Sequence, residues 1–360
     1  MSAVRLPPFY LPAPELLSPH AEMVDREAAR WLDRFALGPD RCDALSRAEV
    51  GSLAAALAPC GELAPLQLIA DFLMWNIAFD DECCDEGPLS SRPLELADMM
   101  IRLLRVVESP EIPPSGHYDE ALYDLRTRLS KHGSPAQVAR WTEAVRAWFL
   151  AELWKAGNVA RGVVPTLSDF LVQRLYSGGG FVCTVMVSIA EGYEVPEQVM
   201  ADRRIRALTE MAILAGNGYT DITSHARERH DGQGSHNLVD VLCREQECGP
   251  ERGLVLAADL LNRVTALFVR LRDDVATTAD DTLRRYLASL SCYVSAAARW
   301  TLTSARYRYP SQQALGPAFE PGGWVGAPED TTPLPIPSMA WWWQHDPLSE
   351  PAPRAAPPPQ

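Results

Sequence analysis

Lysine is nearly missing from this chain: of 33 basic residues only Lys131 and Lys155 are lysines, and 47 acidic residues leave a formal net charge of −14. That balance argues against nucleic acid, which needs clustered basic side chains to neutralise its phosphates. It leaves room for an anionic ligand, because divalent cations can sit between a diphosphate and an acidic pocket. The arginine bias suits bidentate phosphate contacts, although a GC-rich genome produces the same bias. Paired cysteines are also lacking. The eight present (Cys42, Cys60, Cys83, Cys84, Cys183, Cys243, Cys248, Cys292) show no zinc-ligand spacing and lack the density of a disulfide scaffold. No apolar run approaches membrane-spanning length, and the start, MSAVRLPPFYLPAPELL, has no basic stretch leading into an apolar one. The expectation is a soluble, cytoplasmic protein with reduced thiols, no membrane span and no nucleic-acid partner.

Strand-like alternation is nearly absent, and helical periodicity fills its place. Residues 21–37 put Val24, Ala28, Trp31, Leu32 and Phe35 on one stripe with charges opposite. Residues 62–86 are apolar on nearly every face until an acidic end, the pattern of a helix buried inside a bundle. Further helical stretches run near 92–107, 119–131, 135–157, 166–176, 181–191, 201–229, 236–246, 251–278 and 282–306. Gly178-Gly179-Gly180 interrupts this pattern, either as a break that frees backbone amides near Ser177 and Gly178 or as a plain turn. The reading is all-α: an N-terminal segment (1–20), one helical domain (21–309) and a proline-rich tail (310–360). Thirteen of the 30 prolines fall in that tail, so it is expected to be extended or disordered, and dispensable for folding. Trp341, Trp342 and Trp343 are the exception within it, since three adjacent indoles favour docking on the domain or a partner.

Two groups of residues carry candidate chemistry. Asp80, Asp81 and Asp85 end the most apolar helix, with Asp81 and Asp85 at i, i+4 on one face and Asp80 one step around. Such carboxylates repel one another unless cations compensate, and hard oxygen ligands suit magnesium shared with phosphate. A solvated acidic helix end is the alternative, weakened by the apolar WNIAF just before it. Thr220, Ser224 and Glu228, at i, i+4, i+8, line a second helical stripe with oxygen-bearing side chains. An ordinary polar face, or a register Asn217-Asp221-His225, are the competing readings there.

Taken together, these residues make the chain resemble the bacterial class I terpene synthases. Asp80, Asp81 and Asp85 match that family's aspartate-rich motif, and Ser224, Arg227 and Glu228 match its second metal motif, with HNLV at 236–239 following as in the family. The family's diphosphate-sensing arginine, 46 positions before the first ligand of that motif, falls on Arg174, and the helix break four residues later on Gly178. Trp300, Arg306 and Tyr307 reproduce its C-terminal Trp…Arg-Tyr spacing. The likeness covers roughly residues 8 to 310 and implies a class I terpenoid synthase-like helical bundle. Two departures stand out: Thr220 replaces the usual Asn or Asp, and Asp85 follows Asp80 by five positions rather than four.

The resemblance implies Mg2+, three ions by expectation, bridging the substrate diphosphate to Asp80, Asp81, Asp85, Thr220, Ser224 and Glu228. Arg174, Arg227, Arg306 and Tyr307 would then donate hydrogen bonds to the leaving group. Phe72, Trp75, Phe79 and Trp300 are candidates to stabilise a carbocation by their ring faces. Core packing is the competing role for Phe72 and Trp75. The implied activity is cyclisation of farnesyl diphosphate to a sesquiterpene, with a homodimer as a compatible assembly. A cyclase using geranylgeranyl diphosphate, a chain-elongating prenyltransferase, and a non-catalytic homologue with a degenerate second motif are the alternatives. No second Asp-Asp-x-x-Asp run is present to support the elongating enzyme.

Overall fold

The structure, a computed structural model, describes residues 4–38, 45, 48–85, 87–230, 236–308 and 319–349. Helices account for nearly all of its regular structure, each set by local sequence. Helix α1 (Ala21–Arg34) buries Val24, Ala28, Trp31 and Leu32 along the predicted stripe. Helix α2 (Val50–Leu57) leads into α3 (Leu63–Phe79), a buried helix with apolar residues on almost every side. Helix α5 (His117–His132) packs against it, and α4 (Pro93–Glu108) packs against α5.

Helix α6 (Pro135–Arg161) opens with a reciprocal cap. Gln137 N donates to Ser134 Oγ at 3.1 Å and Ser134 N donates to Gln137 Oε1 at 3.0 Å. Helix α6 stops at Gly162, whose φ of 62° suits glycine. The pair α7 (Leu167–Ser177) and α8 (Gly180–Ala190) is interrupted at Gly178 and Gly179, the latter at φ 67°. By length and composition the run Leu167–Ala190 could cross a membrane, yet 67% of its most apolar window is buried within the fold and the break divides it.

Helix α9 (Arg203–His230) packs against α11 (Pro250–Ala276) and α12 (Asp281–Thr303), with α10 (Leu238–Glu245) between loops. Gly216 and Gly218 make that packing close: a Cβ on them would lie 2.6 Å from Tyr293 and 2.5 Å from Leu261. One apolar core joins residues from all of these helices.

The described part of the tail differs from a free chain. Strand β1 (Val4–Arg5) pairs in parallel with β2 (Phe319–Glu320), and Phe319 is buried. Trp342 and Trp343 are buried, and Trp342 Nε1 donates to Glu210 Oε2 at 3.0 Å. Trp341 lies against the guanidinium of Arg203 at 4.0 Å, and Arg270 donates twice to Asp346, at 3.0 and 2.6 Å. Proline prevents long helices here, but it does not prevent an extended chain from burying indoles. Residues 319–349 therefore lie against the helical body rather than loose in solvent. Residues 310–318 and 350–360 of the tail lie outside the described residues.

Candidate active site

The acidic run does not continue α3 as an α-helix. Asp80–Asp85 form a π-helical turn, in which hydrogen bonds span five residues rather than four. That turn re-aims the carboxylates. Asp80 and Asp85, five apart, line one polar cavity of about 370 Å³. Asp81 is held instead by Arg306, whose Nη1 and Nη2 donate to its two oxygens at 2.8 and 2.7 Å. The expectation that Asp81 and Asp85 share a face assumed an α-helical register, and the π-turn replaces that pairing with Asp80 and Asp85. The extra residue noted between them is accommodated by the same turn.

Helix α6 adds two groups that belong to neither motif. Glu152, buried, reaches the cavity beside Asp80 and Cys84, and Lys155 lies one turn on, ion-paired with Asp85 and with Glu152 Oε2 at 3.3 Å. Burial raises the pKa of Asp80 well above the usual carboxylate range, and neighbouring Asp85 raises it further. Glu152 is raised by burial, with Lys155 pulling the other way. Burial likewise pushes the Cys84 thiol well up, and its soft sulfur suits magnesium poorly in any case.

Helix α9 forms the opposite wall. Arg174, from α7, donates from Nε to Asp221 Oδ1 at 2.9 Å and from Nη2 to Thr220 Oγ1 at 2.6 Å and Asn217 O at 3.1 Å. The Thr220 hydroxyl in turn donates to Asn217 O at 2.6 Å. Burial pushes Asp221 up to about 6 despite the opposing pull of Arg174. Ser224, Arg227 and Glu228 line the same cavity. Asn237, in the HNLV segment, donates to Glu228 Oε2 at 2.9 Å and to Asp221 O at 2.8 Å, tying the end of the stripe to the start of α10.

Of the competing register, Asp221 faces the cavity, whereas His225 turns to Asp240 at 3.1 Å. Asn217 donates to Arg174 O at 2.8 Å and packs on the helix break. A Cβ on Gly178 would come within 2.5 Å of the Asn217 side chain, so a larger residue at the break would have to displace Asn217.

A second, apolar cavity of about 120 Å³ opens off the first; Asp80, Arg174, Thr220, Arg306 and Tyr307 border both. From α3 it is lined by Leu73, Asn76, Ile77 and Asp80, an i, i+3, i+4, i+7 stripe. Tyr293 and Trp300 face it from α12. Trp300 donates to Ala48 O at 2.7 Å and meets Tyr307 edge-on at 5.1 Å.

Phe72, Trp75 and Phe79 line neither cavity. They point roughly a third of a turn away along α3. There Phe79 stacks on Trp75 at 4.9 Å and all three meet Trp148 edge-on at 5.9 to 6.3 Å. Of the four aromatic residues expected to face a cation, the structure puts Trp300 alone beside the cavity.

The donor set fits a hard divalent cation. Among the described residues, Asp80 Oδ1 and Glu152 Oε1 are buried at the cavity with no hydrogen-bond partner. Orphaned carboxylate oxygens in a buried site are costly unless an ion completes them. Oxygen-only ligation suits magnesium rather than zinc.

An all-helical bundle with a polar, acid-rich cavity opening onto an apolar one defines a class of enzymes that handle amphiphilic diphosphates. The sequence profile described as terpene synthase family 2, C-terminal metal binding, matches residues 71–266. A germacradien-6-ol synthase of Streptomyces pratensis is 36% identical over 95% of this chain and 97% of its own length. A spiroviolene synthase of Streptomyces violens is 30% identical, over 95% and 98% respectively. Among solved structures, the SVS_A2 protein from ancestral sequence reconstruction superposes with a TM-score of 0.80 at 32% identity, covering 94% of this chain and 98% of that one. The chain belongs to the bacterial class I terpene synthase family.

Proposed function

We propose that this enzyme ionises farnesyl diphosphate with magnesium and cyclises the resulting cation to a sesquiterpene. The observation that carries the reading is the junction of the two cavities: orphaned carboxylate oxygens on one side, an apolar pit on the other, and Arg174, Arg306 and Tyr307 at the border. A T-muurolol synthase of Streptomyces clavuligerus, 33% identical over 95% of this chain, is described as cyclising (2E,6E)-farnesyl diphosphate, which supports the C15 substrate.

Asp80 and Glu152 on one wall, with Ser224 and Glu228 on the other, would hold the metal, which would supply positive charge to the departing diphosphate, while Asp85 is held by Lys155. Arg174, Arg227, Arg306 and Tyr307 donate hydrogen bonds to the same oxygens. Breaking the allylic C–O bond sends its electron pair out with diphosphate and leaves a carbocation in the apolar pit. Donors fixed before the reaction stabilise that separating charge without reorganising. Tyr293 and Trp300 present ring faces or edges to the pit, and its apolar lining keeps bulk water from quenching the cation.

The test is incubation with C10, C15 and C20 prenyl diphosphates plus Mg2+, with volatile and extractable products analysed. A cyclic C15 hydrocarbon or alcohol with one diphosphate released per turnover is the expected result. Cyclic product from the C20 substrate alone would move the assignment to a diterpene synthase. Release of no product from any chain length would leave the non-catalytic reading.

A further inference from the structure

We propose that the ammonium of Lys155 replaces one divalent cation in the diphosphate site, so that this chain binds two magnesium ions with diphosphate rather than three. The inference rests on the reading of the cavity as a metal–diphosphate site and concerns how that site is charged.

Lys155 is one of only two lysines in the chain, and its side chain is 17% exposed. It projects from α6 into the group of carboxylates that line the acidic wall, ion-paired with Asp85 Oδ1 and Glu152 Oε2. Asp80, Asp85 and Glu152 carry three negative charges when ionised, and Lys155 reduces them to two, the charge one divalent ion neutralises. Asp85 belongs to the aspartate-rich motif, and Glu152 brings a carboxylate oxygen within 4.8 Å of one of Asp80. An ammonium is a compact point charge with three donors, and so can satisfy two carboxylates and still face a phosphate oxygen.

The opposite wall points the same way. Thr220, where the family carries an amide or carboxylate, already accepts from Arg174 and donates to Asn217 O. Its hydroxyl is committed to holding Arg174 across the cavity. That wall therefore offers Ser224 and Glu228, and the acidic wall offers Asp80 with the unpartnered Glu152 Oε1. Two ions can be held by those groups with phosphate and water, and Lys155 supplies the remaining positive charge.

Native mass spectrometry of the protein loaded with Mg2+ and inorganic diphosphate counts the ions directly. Wild type is expected to carry one diphosphate and two ions. Lys155→Met, which removes the ammonium and frees Asp85 and Glu152, is expected to carry three, and Lys155→Gln serves if the methionine variant fails to fold. Three ions on wild type would overturn the proposal without any variant, and so would an unchanged count of two in both variants. Wild type that retains no ion in the presence of diphosphate would overturn the metal–diphosphate reading itself, and this inference with it.

Discussion

The π-turn that ends α3 and the Thr220–Glu228 stripe of α9 face each other across one cavity, but they hold charge in different ways. On the first wall, Asp80 and Glu152 keep carboxylate oxygens without hydrogen-bond partners among the described residues. On the second, most of the polar groups are already tied: Arg174 to Asp221 and Thr220, and Asn237 to Glu228. The difference teaches where a cation has most to gain. An ion at the first wall relieves buried like charges, while one at the second must compete with an existing network.

The largest effect should therefore come from the first wall. Asp80→Asn is expected to reduce turnover by at least about 100-fold, since even partners behind a ligand are worth roughly 10- to 100-fold in metal affinity. Its far-ultraviolet circular dichroism should stay helical. Near-normal turnover would mean that the unpartnered oxygen of Asp80 is not a ligand. Asp81→Asn tests the re-aiming by the π-turn: Asp81 is paired with Arg306, so its loss is expected to cost less, on the order of 10-fold. If Asp81 proved the costlier of the two, the α-helical register would be the functional one.

On the second wall the expected effects are smaller. Thr220→Val keeps the branched shape but removes the acceptor for Arg174, and should raise the Mg2+ concentration for half-maximal turnover about 10-fold, a loss of roughly 1.4 kcal/mol. Thr220→Asn brings back an amide oxygen and should lower that concentration or leave it unchanged. Equal magnesium dependence in wild type and both variants would show that this position touches neither the metal nor its charge balance.

Away from both walls, turnover should hardly respond. Trp342→Ala removes a buried indole from the returning tail and its bond to Glu210, so urea unfolding should report a loss of about 3 kcal/mol. A stability unchanged by that substitution would mean the tail adds nothing to the fold.

Much of this was legible in the residues. Burial of α3 follows from its lack of a polar face, and the break at Gly178 from three successive glycines. The resemblance to the family points to Arg174 by its distance from Thr220, and the two do meet, at 2.6 Å. The cavity face of α3 was not legible. A helix apolar on all sides carries no directional pattern, so Phe79 and Leu73 look alike until α6 is seen behind Trp75. The π-turn was hidden because the usual helical period ranks Asp81 with Asp85, and only a five-residue hydrogen-bond span brings Asp80 into line. Glu152 and Lys155 come from a helix that carries no family motif. The scarcity of lysine was the one sign that Lys155 has a particular place.

The acidic cavity takes an anion only through cations. Calorimetric titration of the protein with inorganic diphosphate, with Mg2+ and again with EDTA, tests that claim without relying on product chemistry. With magnesium, saturable binding of one diphosphate is expected. With EDTA, affinity should fall by more than about 100-fold, because Lys155, Arg174 and Arg306 are already held by Asp85, Asp221 and Asp81. Equal affinity in the two conditions would contradict the account, since the arginines alone would then suffice to hold the anion.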